Sequence, residues 1–369
     1  MTHRTAIRLA DGRDLFYYDR AAGADRSAPD QRTDLPEAVT TSQMRWNPLM
    51  RDYSVIAGHR QQRTYKPPAD LCPLDPSSEG KSTEIPASDY EVVVFENRFP
   101  SFSLRSGVHV PLVDVPPFRS GPAAGRCEVV CFSSDHDSSF SHLPIEQVET
   151  VIDAWADRTE ALNAIDSIDY VFCFENRGEE IGVTLSHPHG QIYGYPFVPP
   201  RFYNAARTAR RHRERTGACL QCELLAAELG AGERIVCESE HWVAYVPFAA
   251  RWPYEVRVVP RMHVPDLPAL SDELRDDLAR AYLDVLQRFD GLFDAPVPYI
   301  ADWHQAPVRQ DRETWHLAAE IFTIQRAPGL LKYLAGSESG AGIWINDVTP
   351  ETAAARLRAA RTELQRTNP

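Results

Sequence analysis

The sequence predicts an α+β fold made of two tandem halves. Short strand-like runs alternate with longer segments in which apolar residues recur at helical spacing, which indicates mixed strands and helices. From about residue 70, the same order of strands, helix and ligand-type residues occurs twice. A chain of 369 residues, 43% of them apolar, is long enough for two domains that each have a core.

Residues 1–45 are predicted to form a hairpin arm followed by a polar linker, with the Asp11-Gly12 step as the turn. Residues 46–200 are the predicted first domain. Its expected elements are strands over 90–95, 128–132 and 170–174, a helix with apolar positions at Ile145, Val148, Val151, Ile152 and Trp155, and a last strand opened by His187.

Residues 201–218 are the predicted connecting helix. Its basic stretch, residues 207–215, is typical of a solvated helix face in a chain of net charge −13. Residues 219–369 are the predicted second domain. Its expected elements are strands over 242–246, 256–259 and 297–300, a helix with apolar positions at Leu274, Leu278, Tyr282, Val285, Leu286 and Phe289, and a C-terminal helix capped by Thr349 with Pro350 in its first turn.

Two sets of metal-ligand residues support the repeat. Cys-x-x-Cys followed by two distant histidines is a structural zinc pattern, and it occurs in the second half. These ligands are Cys219, Cys222, His263 and His316. The two histidines are 53 residues apart, close to the 51 residues between His136 and His187 in the first half. A redox pair or two unconnected buried thiols are the alternatives for the cysteines.

The first half has a related set of ligands, namely Cys72, Asp75, His136 and His187. A carboxylate can ligate zinc, so a Cys-Asp-His-His site is possible. Because Asp75 stands in the place of a soft thiolate, we expect this site to hold metal less tightly than the second, and its occupancy stays open.

The most informative segment is His-Pro-His-Gly-Gln, residues 187–191. On a strand, His187 and His189 would point to the same face. Gly190 has no Cβ, so an anionic ligand can approach the backbone, and the amide of Gln191 can bind a phosphoryl oxygen. Since a neutral imidazole is a competent nucleophile, the motif predicts phosphorus chemistry through a covalent histidine intermediate. A metal-binding His-x-His pair without chemistry is the alternative.

The repeat assigns different roles to the two histidines of this motif. His187 would be a metal ligand that fixes the position of His189, the expected nucleophile. The second half has Ala318 at the position that corresponds to His189. We therefore expect one active site per chain.

Composition excludes several classes of protein. The net charge of −13 and the pI of about 5.4 argue against a polymer-binding role with nucleic acid. No apolar run approaches the roughly 18 residues that cross a bilayer, and the first residues carry no apolar signal core. Seven scattered cysteines are typical of ligands or buried thiols in a cytosolic chain, so we expect a cytoplasmic protein.

Several segments together carry a family resemblance from about residue 46 to the C-terminus. They are Arg-Trp-Asn-Pro-Leu at 45–49, His-Arg-Gln-Gln-Arg at 59–63, Phe-Glu-Asn-Arg-Phe-Pro at 95–100, Cys-Phe-Ser-Ser-Asp-His at 131–136, Phe-Glu-Asn-Arg-Gly at 174–178 and the His-Pro-His-Gly-Gln motif. The chain resembles the galactose-1-phosphate uridylyltransferases of the histidine-triad superfamily. This resemblance implies two tandem histidine-triad-like half-domains of mostly antiparallel sheet with flanking helices.

The resemblance also implies a ping-pong reaction between UDP-glucose and galactose 1-phosphate. His189 would attack the α-phosphorus and release a hexose 1-phosphate, and the uridylylated imidazole would then pass UMP to a second sugar phosphate. Gln191 would donate to a non-bridging oxygen, and the backbone carbonyl of His187 would orient the imidazole.

The same resemblance assigns the substrate-binding residues. They are Arg60 and Arg63 near the phosphates, Asn176 and Thr184 at phosphate and ribose, and Asn97 and Phe99 at the uridine. An exposed surface pair is the alternative for the arginines, and an ordinary core aromatic is the alternative for Phe99. The family completes its sugar-phosphate end with a C-terminal loop, often from the partner in a homodimer. Here Lys332 would meet the phosphate and Glu338 the sugar hydroxyls, with a flexible turn as the alternative.

The chain departs from the family pattern at several positions. Ala318 and Glu320 stand at two positions of a histidine cluster that holds a second metal in some members, so that version of the site is not expected. His304 matches a remaining member of the cluster and is expected only to face the active site. Val183-Thr184 replaces a Cys-Ser pair, and Ser337 replaces a tyrosine. These changes are expected to affect the specificity for the sugar more than the chemistry of uridylyl transfer.

Other functions stay open at this point. A nucleotide-sugar phosphorylase, or a transferase for another sugar 1-phosphate, would keep the His189 intermediate. A metal-stabilised nucleotide-sugar binding protein would bind the donor without forming an adduct. A hydrolase of phosphoramidates or dinucleotides is disfavoured by Gln191, because histidine-triad hydrolases often carry another histidine there.

Overall fold

The computed structural model describes residues 2–33, 35, 41–62, 66–105, 113–293 and 295–367. The first half of the chain contains helix α1 (Ile145–Asn163) and ten strands. These strands are β1 (His3–Arg8), β2 (Asp14–Asp19), β3 (Gln43–Asn47), β4 (Asp52–Ile56), β5 (Val92–Glu96), β6 (Asp114–Val115), β7 (Phe118–Pro122), β8 (Arg126–Cys131), β9 (Tyr170–Arg177) and β10 (His189–Tyr195).

The second half adds four helices and seven strands. The helices are α2 (Pro200–Thr216), α3 (Leu220–Ala231), α4 (Asp272–Asp290) and α5 (Pro350–Thr367). The strands are β11 (Ile235–Glu238), β12 (Trp242–Tyr245), β13 (Tyr254–Pro260), β14 (Tyr299–His304), β15 (Ala318–Thr323), β16 (Gln325–Ala327) and β17 (Leu330–Leu331). None of the helices in the described parts of the chain is long and apolar enough to cross a membrane.

One antiparallel sheet of eleven strands runs through both halves. Its order is β1-β2-β5-β8-β10-β9-β14-β15-β13-β12-β11. The halves meet where β9 pairs with β14, with Asn176 opposite Ile300. Read outward from this junction, β9, β10, β8 and β5 are matched by β14, β15, β13 and β12. The predicted α+β fold with two tandem, mostly antiparallel halves is therefore confirmed.

The predicted N-terminal hairpin is part of the main sheet. Strand β1 pairs with β2, and β2 continues the sheet by pairing with β5. The turn between β1 and β2 uses Gly12 at a φ of +78°, a conformation that suits glycine. The buried Arg13 that follows forms ion pairs with Asp11 and Glu84. The hairpin thus also fixes a residue near the candidate site.

Helices α1 and α4 cover one face of the sheet. Their apolar positions form the main core, and Tyr282 of α4 lies between Trp155 of α1 and Trp303 of β14, with 5.9 Å between ring centroids on each side. Arg177 of β9 forms an ion pair of 2.6 Å with Asp290 of α4. The core therefore joins the two halves.

The opposite face is covered differently in the two halves. In the second half, α3 packs on Tyr245, Val259 and Ala318. Helix α2 lies at the junction of the halves, where Phe202 stacks on Tyr170 of β9 with ring centroids 4.5 Å apart and also contacts His304 of β14. In the first half, the equivalent strand positions line cavities. The two halves therefore share one sheet, but this face packs against a helix in the second half and lines cavities in the first.

Gly190 has a different structural role from the one its motif indicates. A Cβ built there would lie 2.7 Å from Cζ of Phe132 and 2.9 Å from the carbonyl oxygen of Phe174, on the helix side of the sheet. The glycine is needed for close packing rather than for ligand approach. Gly190→Ala is expected to destabilise the fold by roughly 1–3 kcal/mol, seen as a lower melting temperature. Gly121→Ala, where a Cβ has open space, is the matched control, and equal melting temperatures for both variants would contradict this reading.

Candidate active site and metal centres

His189 is the first residue of β10, and its side chain is oriented by the backbone two residues earlier. Its Nδ1 lies 2.7 Å from the carbonyl oxygen of His187. Because a carbonyl only accepts, Nδ1 carries the proton and Nε2 keeps its lone pair. Burial lowers the pKa of His189, so the ring is neutral at pH 7. The result is an imidazole with an available nucleophilic nitrogen.

The prediction that His187 opens the last strand is off by two residues. The strand begins at His189, and His187 lies in the preceding turn with its ring buried. The second half repeats this arrangement, since His316 precedes β15 by two residues. Its equivalent of His189 is Ala318, which is buried under Leu225. His187 therefore lies in the turn and His189 in the strand, so the two histidines of the motif have different environments.

Two cavities meet at His189. The Asn97 cavity, of about 150 Å³, is lined by Arg60, Leu74, Glu84, Phe95, Asn97, Arg98, Phe99, Val129, Thr184, Leu185, His189 and Gln191. The Asn176 cavity, of about 260 Å³, contains Ser138, Ser139, Glu175, Asn176, Arg177, Thr184, His187 and His189. Thr184, Leu185 and His189 line both cavities. A group bound to His189 can therefore extend in two directions.

The structure brings together most of the residues that were predicted to bind substrate. Gln191 lies on the same face of β10 as His189 and accepts a hydrogen bond of 3.2 Å from the Tyr193 hydroxyl. Arg60 donates to the Ser101 hydroxyl at the edge of the Asn97 cavity. Phe99 lines the same cavity, so it is not a fully buried core residue. Arg63 lies outside the described residues.

Lys332 and Glu338 are close to each other but are not among the residues that line either cavity. The Lys332 ammonium donates to Glu338 at 2.8 Å, and this contact lowers the pKa of Glu338 to about 2. The backbone N–H of Ala335 and that of Ile345 also donate to the same carboxylate. Within one chain, Lys332 and Glu338 thus bind each other and the loop backbone rather than contribute to either cavity.

The first predicted ligand set converges. One ligand atom each from Cys72, Asp75, His136 and His187 lies within 4.8 Å of all the others. Oδ1 of Asp75 is 2.8 Å from Nδ1 of His136 and 3.1 Å from Nδ1 of His187. Oδ2 of Asp75 accepts from Lys81 at 2.8 Å. The set can hold a metal ion, although the Lys81 ammonium already compensates part of the Asp75 charge.

The second ligand set converges as well. One ligand atom each from Cys219, Cys222, His263 and His316 also lies within 4.8 Å of all the others. Sγ of Cys222 lies 3.4 Å from Nδ1 of His263 and 3.2 Å from Nδ1 of His316. The two cysteines begin helix α3 rather than lie in a loop, because Cys219 is its N-cap. Two thiols and two imidazoles are a donor set that suits zinc.

An equivalent hydrogen bond to the backbone is made by one histidine of each ligand set. Nε2 of His187 donates to the carbonyl oxygen of Ser133 at 2.8 Å, and Nε2 of His316 donates to that of Pro260, also at 2.8 Å. Metal-binding histidines usually donate their second ring N–H in this way, which fixes the tautomer. Nδ1 of each ring is therefore the nitrogen that faces its ligand set. This geometry fits a metal in both halves.

A third cluster of ionisable residues lies in the second half. It consists of Asp302, His304 and Glu320, all buried. Both oxygens of Glu320 accept hydrogen bonds from Arg201 of α2, at 2.7 and 2.8 Å, so this carboxylate is paired with a guanidinium group. His304 contacts Asp302 at 2.8 Å and packs on Phe202. The expectation that His304 faces the active site was wrong, because α2 covers it.

Sequence reasoning missed Glu175, although an acid in an otherwise apolar strand was a visible signal. Burial raises the pKa of Glu175 to about 8, against smaller lowering by Tyr299 and Arg177. Between about pH 4.5 and 8 the folded chain therefore holds a proton that the unfolded chain has lost, and stability falls as pH rises through this window.

Glu175→Gln should remove that dependence. We expect the variant to match the native chain near pH 5 and to exceed it by roughly 1–3 kcal/mol above pH 8, measured by urea unfolding across the pH range. Glu160→Gln, at an exposed position of α1, is the control. Parallel pH profiles for the native chain and the Glu175 variant would show that Glu175 is ionised in the fold.

Comparisons with known proteins identify the family of this chain. The family model for the N-terminal domain of galactose-1-phosphate uridyl transferase matches residues 31–199, and the model for its C-terminal domain matches residues 204–367. A galactose-1-phosphate uridylyltransferase of Streptomyces lividans is 46% identical over 96% of this chain and 97% of its own length. One of Thermotoga maritima is 37% identical, over 87% and 99% respectively.

Solved structures give the same result. A uridylyltransferase structure superposes with a TM-score of 0.77 at 32% identity, over 89% of this chain and 100% of that one. The two family models together span most of this chain, and the relatives match it along nearly their whole length. The chain therefore belongs to the galactose-1-phosphate uridylyltransferase family.

Proposed function

We propose that the chain transfers a uridylyl group from UDP-glucose to galactose 1-phosphate through a covalent intermediate on His189. The observation that carries this proposal is the neutral His189 ring, held by the His187 carbonyl at the point where two cavities meet. One cavity can hold the nucleotide while the other holds the sugar phosphate.

The first displacement uses Nε2 of His189 as the nucleophile. Nε2 bonds to the α-phosphorus, the bond from that phosphorus to the bridging oxygen breaks, and glucose 1-phosphate leaves with the electron pair. A phosphate oxygen of galactose 1-phosphate then attacks the same phosphorus, and the P–N bond breaks to regenerate the neutral ring. Gln191, on the same face, donates to a non-bridging oxygen as charge develops.

We further propose that both ligand sets hold zinc and that its role is structural. The first set would tie the turn before β10 to the loops of Asp75 and His136, and so would fix the nucleophile. When bound, zinc supplies cross-links between loops and takes no part in the displacement. A thiolate-rich donor set favours the second site over the first.

We also propose a cytoplasmic homodimer, with the chain divided into domains at the predicted boundaries. Large apolar side chains are exposed in and just after the Lys332–Glu338 loop, among them Tyr333 at 70% and Ile343 at 62%. Burial of such side chains against a second copy would favour association. We propose that, in this dimer, the same loop completes the cavities of the partner.

The test is intact mass after mixing the protein with UDP-glucose. A UMP-sized adduct that galactose 1-phosphate discharges would support the proposal. An adduct discharged only by inorganic phosphate, or by another sugar phosphate, would keep the His189 chemistry and change the acceptor. Bound but intact UDP-glucose without an adduct would contradict the proposal.

A further inference from the structure

We propose that Tyr193 is a positioning residue for the transfer step. Its hydroxyl holds the side-chain amide of Gln191 in one orientation, with the NH₂ group toward the phosphorus and the oxygen turned away from it. The inference rests on the proposed function, in which Gln191 donates to a non-bridging oxygen, and it goes further by naming what fixes that donor.

Tyr193 and Gln191 lie on one face of β10. Residues two apart on a strand point to the same side, so Tyr193 continues the row of side chains that begins with His189 and Gln191 in the Asn97 cavity. The Tyr193 hydroxyl donates to Oε1 of Gln191 at 3.2 Å. Because this hydrogen bond occupies the amide oxygen, the NH₂ group is the end of the amide that is left for a ligand.

Aromatic packing holds the ring of Tyr193 in place. Its centroid lies 5.1 Å from that of Phe174 on β9 and 6.3 Å from that of Phe102, and both pairs meet edge to face. A side chain that must be placed accurately for catalysis depends on neighbours whose own conformations are fixed by packing. The flexible Gln191 is therefore tied to a ring that the core already restrains.

The direction of the Tyr193 hydrogen bond is set from the other side. Arg60 donates to the hydroxyl of the buried Ser101, and a guanidinium group can only donate. Burial raises the pKa of Tyr193 to about 12, against smaller lowering by Arg60 and by a hydrogen bond from Ser101. A hydrogen bond that lowers the pKa of a phenol donates to its oxygen. Ser101 therefore donates to Tyr193, which leaves the phenol proton for Gln191.

These side chains form a series of donors that all point the same way, from Arg60 at one end to Gln191 at the other. Because each hydrogen bond polarises the next, the charge of Arg60 strengthens the donors that follow it. The opposite amide orientation would set the Gln191 oxygen against an anionic phosphate. It would also leave the phenol proton only the sulfur of Cys127, which contacts the Tyr193 hydroxyl but is a weak acceptor. The donating orientation is thus favoured before a substrate binds.

A double-mutant cycle separates positioning from a merely structural role. The rate of adduct formation at saturating UDP-glucose is followed by intact mass for the native chain, Tyr193→Phe, Gln191→Ala and the double variant. Tyr193→Phe should slow this step about fivefold, the effect of one hydrogen bond, and Gln191→Ala about a hundredfold. In the Gln191→Ala background, Tyr193→Phe should change the rate by less than about twofold, because the amide that it holds is gone.

Two further variants complete the test. Ser101→Ala should slow the native chain about twofold and should have no effect in the Tyr193→Phe background. Tyr195→Phe is the matched control, because Tyr195 lies on the same face of β10 with its ring centroid 5.1 Å from that of Phe102. It should react at the native rate, and melting temperatures report whether each variant is folded.

A native rate in Tyr193→Phe, or equal slowing by Tyr193→Phe in both backgrounds, would overturn this inference and leave the proposed function standing. Absence of an adduct on the native chain would instead overturn the proposed function.

In that case, calorimetric binding of UMP to the same four proteins decides the inference separately, since the Gln191 amide would still meet a phosphate oxygen. An affinity that falls about fivefold in Tyr193→Phe, but not when Gln191 is already replaced, would support positioning by Tyr193. An equal fall in both backgrounds, or no binding of UMP to the native chain, would overturn it.

Discussion

Replacing His189 by alanine is expected to abolish the covalent adduct and to lower the rate of uridylyl transfer by at least about a thousandfold. The loss of a covalent nucleophile has costs of this size or larger in other enzymes. The fold should be retained, because His189 lies at the start of β10 and its ring makes its hydrogen bond to the backbone carbonyl of His187. The measurements are intact mass after UDP-glucose, initial rates and the melting temperature.

His3→Ala is the control for this variant, because His3 is an exposed residue of the N-terminal hairpin. It should react like the native chain. His187→Ala should also lose activity, but for another reason, since it removes a ligand from the first set. It should therefore bind less metal, whereas His189→Ala should keep the native metal content. A full-yield adduct on His189→Ala would place the nucleophile elsewhere.

Metal should leave the two ligand sets in order as a chelator is titrated, first from the set with Asp75 and then from the set with Cys222. A thiolate binds zinc more strongly than a carboxylate does, and the Lys81 ammonium beside Asp75 opposes a nearby cation. Cys222→Ala should reduce zinc by about one equivalent per chain and lower the melting temperature by roughly 5 °C or more. Asp75→Cys should retain its zinc at higher chelator concentrations than the native chain.

Cys237→Ala is the control, because Cys237 lies in strand β11 and in neither ligand set. Zinc content is measured by elemental analysis of the dialysed proteins, and stability by thermal unfolding. Native zinc content in Cys222→Ala would rule out the second set as a zinc site. Simultaneous release from both sets would contradict the expected order of affinities.

Local sequence patterns predicted the long helices and the strands of the repeat. The helical spacing of Val148, Val151 and Trp155 corresponds to α1, and Thr349 caps α5 by accepting from the backbone N–H of Thr352 at 3.3 Å. Such features depend on residues within a few positions of each other, so they can be read from the chain. The two ligand sets were also found by spacing, since the repeat aligns His187 with His316.

Contacts between distant strands were harder to predict. Glu175 was missed because its burial comes from the packing of β9 against α4 and β14, far along the chain. The motif at residues 95–100 assigns no role to Arg98, because only the pairing of β5 with β8 places this side chain in the same cavity as His189. Gly190 was linked to ligand approach, whereas strand alternation turns it toward Phe132.

The sequence by itself predicted the repeat, the candidate nucleophile and both ligand sets, because each is encoded in residue type and local spacing. Only the tertiary structure decided which half has open cavities. Helix α3 packs over the strands of the second half, and Arg201 of α2, the helix at the junction, binds Glu320 there. In the first half, the same strand positions line the cavities around His189. This difference arises from long-range packing and ion pairing, which no local pattern of residues specifies.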